Sequence, residues 1–101
     1  MYFIVSWNIK ATGQTWDYHN RRMRQSFEHC SYVNPINSVY FVKVTASEQY
    51  EQINQCLLTE SQNLKIDIRY VITRPFDSSP QNNIQGWLEK DMMAQIGEVI
   101  S

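Results

Sequence analysis

The amino-acid sequence predicts a single α+β domain, one sheet layered against helices, and three observations carry that expectation. Two segments, Tyr2 to Asn8 and Ser38 to Val44, are apolar on both alternation parities, as strands in the middle of a sheet are. Two others, with Tyr50, Ile53 and Leu57 on one and Trp16, Asn20, Met23 and Phe27 on the other, repeat at helical spacing. The chain has 101 residues, 43% hydrophobic and 19% charged, which fits one globular core spanning 1–101 and leaves no room for a second.

Taken in order, Tyr2 to Asn8 sets Phe3, Val5 and Trp7 on one side and Tyr2 and Ile4 on the other. Lys10 to Gln14 carries Thr12-Gly13, a loop signal. Thr15 is then the expected N-cap of a first helix ending near His29, with Asp17 in its first turn. Cys30 to Asn34 reads as a short strand closed by Asn34-Pro35, and the short loop to Ser38 implies an antiparallel hairpin. Ser47 is the expected cap of a second helix, with Glu48 in its first turn.

Ile66, Ile68, Tyr70 and Ile72 alternate with Lys65, Asp67, Arg69 and Thr73, the pattern of an edge strand with one apolar face. Asp67 and Arg69 read as a charge pair on its exposed side. Residues 75–83 form a Pro/Ser/Asn-rich loop between a core of 1–74 and a C-terminal helix over 84–97. That helix is marked by Trp87, Leu88, Met92, Ala94 and Ile96 and is stopped by Gly97. The resulting order, β-α-β-β-α-β plus one helix, is that of a ferredoxin-like sandwich with an additional C-terminal helix. Two helices cover one face of such a sheet. The apolar second face therefore requires either the C-terminal helix or a second subunit, and a homodimer is expected.

Net charge is -1, so the whole molecule gives no electrostatic drive toward nucleic acid. The balance is +3 over residues 1–45 and -4 over 46–101. Lys10, Arg21, Arg22 and Arg24 are the candidate phosphate contacts, against the plainer reading of a solvated helix face. Trp7 and Trp16 could stack bases, though core aromatics are commoner. Cys30 and Cys56 read as free, buried thiols of a reducing compartment, and with His19 and His29 they match no zinc pattern, so no metal is expected. No stretch is long enough to span a membrane and the N-terminal segment lacks a basic leader, which makes the expected location cytoplasmic.

The start Met1 to Ile9, the loop Lys10 to Gln14 and a helix with clustered arginines together resemble the Cas-two-like proteins. These include the small CRISPR-associated nuclease of that name and the VapD toxins. The strand Ser38 to Val44 is similar to theirs as well. The resemblance implies a homodimer of ferredoxin-like protomers linked to nucleic-acid metabolism. In the CRISPR-associated members an acidic residue ends the first strand and, paired across the dimer, holds the Mg²⁺ for phosphodiester cleavage. Asn8 stands at that position here. A neutral amide brings no negative charge to a hard cation, which weighs against cleavage. Asn8, with His19 as an acid or base near it, is nonetheless the candidate catalytic position. Two other readings stand beside this one. The first is a non-enzymatic protein-interaction module. The second is a single-strand RNA binder of the RNA-recognition type, which Phe41-Val42-Lys43-Val44 echoes without that motif's glycines.

Overall fold

The computed structural model describes residues 1–62, 65–77, 83, 85, 86 and 88–100. The elements are β1 (Tyr2–Ile9), α1 (Gly13–Gln25), β2 (Tyr32–Ile36), β3 (Val39–Lys43), α2 (Ser47–Ser61), β4 (Ile68–Ile72) and α3 (Met92–Ile100). They form a mixed α/β domain with a four-stranded sheet of order β2-β3-β1-β4, in which every neighbouring pair is antiparallel. The doubly apolar strands β1 and β3 lie in the middle, as their sequences predict. On either side of them, β2 and β4 are the edges.

The parity of β1 divides the interior into two cores. Phe3, Val5, Trp7 and Ile9 face α1 and α2 and meet Met23, Phe27, Tyr50, Ile53 and Leu57. The packing is aromatic at its centre: Trp7 stacks on Tyr40 at 4.7 Å between ring centroids, with the Phe27 ring 5.4 Å from Tyr40. On the other face Tyr2 and Phe41 are buried by Ile96 and Ile100 of α3. The second face is thus covered, at the Tyr2 end, by the C-terminal helix.

Several boundaries differ from those the sequence suggests. Helix α1 starts at Gly13 with Thr12 at the N-cap, so Thr15 lies inside the helix and Asp17 beyond its first turn. Gly13, at φ 60°, tolerates this entry because it has no Cβ to clash. Helix α2 starts at Ser47, and Ala46 occupies the cap. The stabilising contact there comes from inside the helix: the Thr45 N–H donates to Gln49 Oε1 at 2.9 Å. Strand β2 runs through Pro35, which an edge strand tolerates, and the turn falls at Asn37-Ser38 with Ser38 at φ 63°. Residues 85, 86 and 88–91 lie outside any helix, and Gly97 sits within α3. Trp87 and residues 78–82 of the expected loop lie outside the described residues. Cys30 is half-buried and Cys56 is exposed, because Cys56 falls off the Tyr50-Ile53-Leu57 stripe of α2. Both thiols are free.

Two tyrosines, Tyr50 buried and Tyr70 half-buried, tie α2 to the sheet. The Tyr50 hydroxyl donates to Thr73 O at 2.8 Å and the Tyr70 hydroxyl to Asn54 Oδ1 at 2.7 Å. Burial, before any neighbouring charge, pushes the ionisation of both above the ordinary tyrosine value. The unfolded chain therefore loses these protons first as pH rises. The stabilisation is complete below the ordinary tyrosine pKa of about 10 and is lost as pH passes through the higher folded values. The urea midpoint is expected to fall above about pH 10, and Tyr50→Phe to flatten that fall. A profile unchanged by the substitution would mean the hydroxyl is not held as described.

Candidate functional site

The last residues of β1 place Asn8 on the second face of the sheet, exposed, directly opposite Arg69 of β4. Register pairing extends this surface across all four strands. Ile36 pairs with Val39, Val39 with Ser6, and Ser6 with Val71, so these four side chains form one row. Its two ends are unusually open for aliphatic residues, with Ile36 53% and Val71 69% exposed. On the α3 side of the row, an apolar groove of about 340 Å³ is lined by Ile4, Ile36, Val39, Phe41, Leu88 and Met93. On the other side lies a shallow, more open depression bounded by Ser6, Asn8, Arg69 and Val71. Helix α3 and the residues before it cover Tyr2, Ile4, Val33 and Phe41 and pack in part against Val39, and they leave Ile36, Val71 and Asn8 exposed.

His19 is not beside Asn8. It is 6% exposed on α1, packed toward α2 on the helix side of the sheet, while Asn8 lies on the opposite face. Its Nδ1 is 3.5 Å from Glu60 Oε1 without hydrogen-bond geometry, and the Tyr18 ring meets its edge at 5.0 Å. Burial follows from the spacing His19, Met23, Phe27, one step round from the Trp16-Asn20 line. Asn20 itself accepts the indole N–H of Trp7 at 2.9 Å, which holds that ring in the core and away from any base. Trp16 also packs against the core, partly buried.

The basic residues do not form one patch. Arg22 pairs with Glu60 at 3.4 Å, Arg21 lies over the Tyr18 ring at 6.0 Å, and Arg24 is half-buried. Lys10 is exposed at the end of β1, where its backbone N–H donates to Asp67 O at 2.9 Å. Arg69 and Asp67 are paired at 3.2 Å on the exposed side of β4, as their alternation predicts.

At Asn8 the donor set does not suit Mg²⁺. The amide faces a guanidinium across the strand pair, and the nearby carboxylate of Asp67 is engaged by that same arginine. Among the described residues no three His, Cys, Asp or Glu side chains gather as metal ligands, and no helix is long and apolar enough to cross a membrane. Compared with family models, curated proteins and solved structures, the chain matches none.

Proposed function

We propose that the chain is a ferredoxin-like protein of the Cas-two and VapD-like build that works as a homodimeric, non-catalytic protein-interaction module. The observation carrying this reading is the half-covered second face of the sheet. There Ile36 and Val39 line an apolar groove, and Val71 stands exposed beyond Ser6 in the same row. Contiguous apolar surface of this kind is characteristic of docking sites. Read from β4, the strand order β4-β1-β3-β2 supports the ferredoxin-like part, since α1 and α2 each cross over one intervening strand.

A protein partner suits this face better than nucleic acid. The arginines of α1 lie on the helix layer, and two of them are engaged by Glu60 and Tyr18. Arg69, on the open face, is neutralised by Asp67. Phosphate recognition needs cations free to displace counterions, and here they are dispersed.

The test has three readouts on the purified chain. Light scattering at tens of micromolar is expected to give the dimer mass. RNA and DNA substrates are expected to stay intact with and without Mg²⁺, for the wild type and Asn8→Ala alike. Labelled RNA is expected to show no salt-dependent shift. A monomer mass removes the dimer. Mg²⁺-dependent cleavage lost in Asn8→Ala restores the nuclease reading, and a salt-dependent RNA shift moves the function to nucleic-acid binding.

A further inference from the structure

We propose that helix α3 is a displaceable cover for the second sheet face, and that the buried hydroxyl of Tyr2 beneath it sets how readily it lifts. The device is intramolecular and stands whether the chain acts as one copy or two.

The Tyr2 ring is 2% exposed, parallel to Phe41 at 6.2 Å and tilted against Phe76 at 5.1 Å, in the core closed by Ile96 and Ile100. Its backbone belongs to the sheet, through mutual bonds with Phe76. Among the described residues the hydroxyl has no hydrogen-bond partner, whereas those of Tyr50 and Tyr70 each reach one. The other unpartnered buried atom, His19 Nδ1, at least faces the Glu60 carboxylate 3.5 Å away. A hydroxyl buried in this way has given up its water bonds without replacement, and it regains them when the cover above it moves. Docking α3 is therefore favoured by apolar contact and opposed by the phenol that it seals in.

The helix adds little of its own to staying docked. It has 9 residues, with no acid in its first turn, no base in its last and Gly97 inside it. Glu98, in the last turn, opposes the helix dipole. Asp91, immediately before the helix, is at φ 64°, a left-handed conformation that costs an L-residue more than a glycine. What holds α3 is the packing of Ile96 and Ile100, with Met92, Met93 and Val99 partly buried beside them. The adverse features thus gather on one element and on the patch directly beneath it. Strained or unsatisfied groups collected in this way mark segments that switch between two positions.

Lifting α3 uncovers Tyr2, Ile4, Val33 and Phe41, a surface continuous with Val39 and Ile36 of the groove. The sheet then has two apolar surfaces from one fold, a narrow one with α3 down and a wide one with it lifted. The helix-side core under α1 and α2 is common to both.

Native-state hydrogen exchange over a urea series, on wild type and Tyr2→Phe, tests this. In the wild type, the amides of residues 96–100 are expected to exchange faster than those of β1 and β3. Their rates are expected to be nearly flat at low urea, the mark of an opening that exposes little surface. In Tyr2→Phe, which has no hydroxyl to strand, the same rates are expected to fall by about fivefold or more. Amides in α3 that follow the rates and the urea dependence of β1 and β3 overturn the separate lifting, because the helix then leaves only when the whole domain unfolds. Rates in α3 that Tyr2→Phe leaves unchanged or raises overturn the role of the hydroxyl.

Discussion

Replacing Phe27 with alanine is expected to destabilise the domain more than any other single truncation of a helix-side residue. Phe27 is fully buried in the turn after α1, and its ring meets Tyr32 edge-on at 5.3 Å and lies 6.0 Å from Trp7. It closes the end of the core where α1, β2 and β3 converge, so no single neighbour can move to fill its place. Removing such a ring costs about 3–5 kcal/mol, the transfer energy plus the cavity left behind. A domain of this size holds only about 5–15 kcal/mol in total. At about 4–8 °C per kcal/mol, the melting temperature should fall by at least about 12 °C. Circular dichroism melts of wild type, Phe27→Ala and Phe27→Leu measure it, with the leucine variant expected to lose less than half as much. A loss below about 1 kcal/mol for alanine would contradict the packing described.

Ile96→Asp is expected to act differently, by releasing α3 while the rest of the domain stays folded. Ile96 is fully buried against the face formed by Tyr2 and Phe41. An unpaired carboxylate at that position costs several kcal/mol. The helix has 9 residues, too few to be stable in water without its docking surface. Undocking then becomes cheaper than burying the charge. Hydrogen exchange should show residues 92–100 unprotected, with β1, β3 and α2 still protected, and binding of a hydrophobic dye should rise as Tyr2 and Phe41 are uncovered. Loss of protection throughout the chain would show that the two cores are one cooperative unit.

These two residues also mark what is legible from sequence and what is not. Phe27 falls on a helical stripe with Met23, and Phe3, Val5 and Trp7 alternate with Tyr2 and Ile4, so both cores and the central strands can be read from periodicity. Ends of elements are less readable, because they depend on competing local hydrogen bonds. Thr12 and Thr15 are chemically equal as caps, and the positive φ of Gly13 decides between them. Pro35 signals a strand end, yet at a sheet edge its missing N–H costs no ladder bond. Gly97 signals a helix stop, yet the apolar faces of Ile96 and Ile100 carry the helix past it.

The site was harder to read, since it is tertiary. His19 and Glu60 meet across two helices far apart in the chain, and only the spacing His19-Met23 hints that His19 is inside. The Ile36-Val39-Ser6-Val71 row exists only once three registers are known. Val71 did carry a signal, as the one apolar residue on the polar parity of its strand.

The central position of β1 has a consequence for how the chain folds. Val5 lies between Tyr40 and Ile72, so the first strand to be synthesised finds its two neighbours only much later. Closing such long loops carries an entropic cost that local contacts do not offset, and folding slows accordingly. Until β3 emerges, the run Tyr2-Phe3-Ile4-Val5 is an unpaired apolar strand, the kind of segment that associates with other chains. The hairpin of β2 and β3 and the helix α1 can form first, from contacts near in sequence. β1 can then enter between β3 and β4, and the mutual bonds of Tyr2 and Phe76, at 3.0 and 2.7 Å, can close only after β4 is in place.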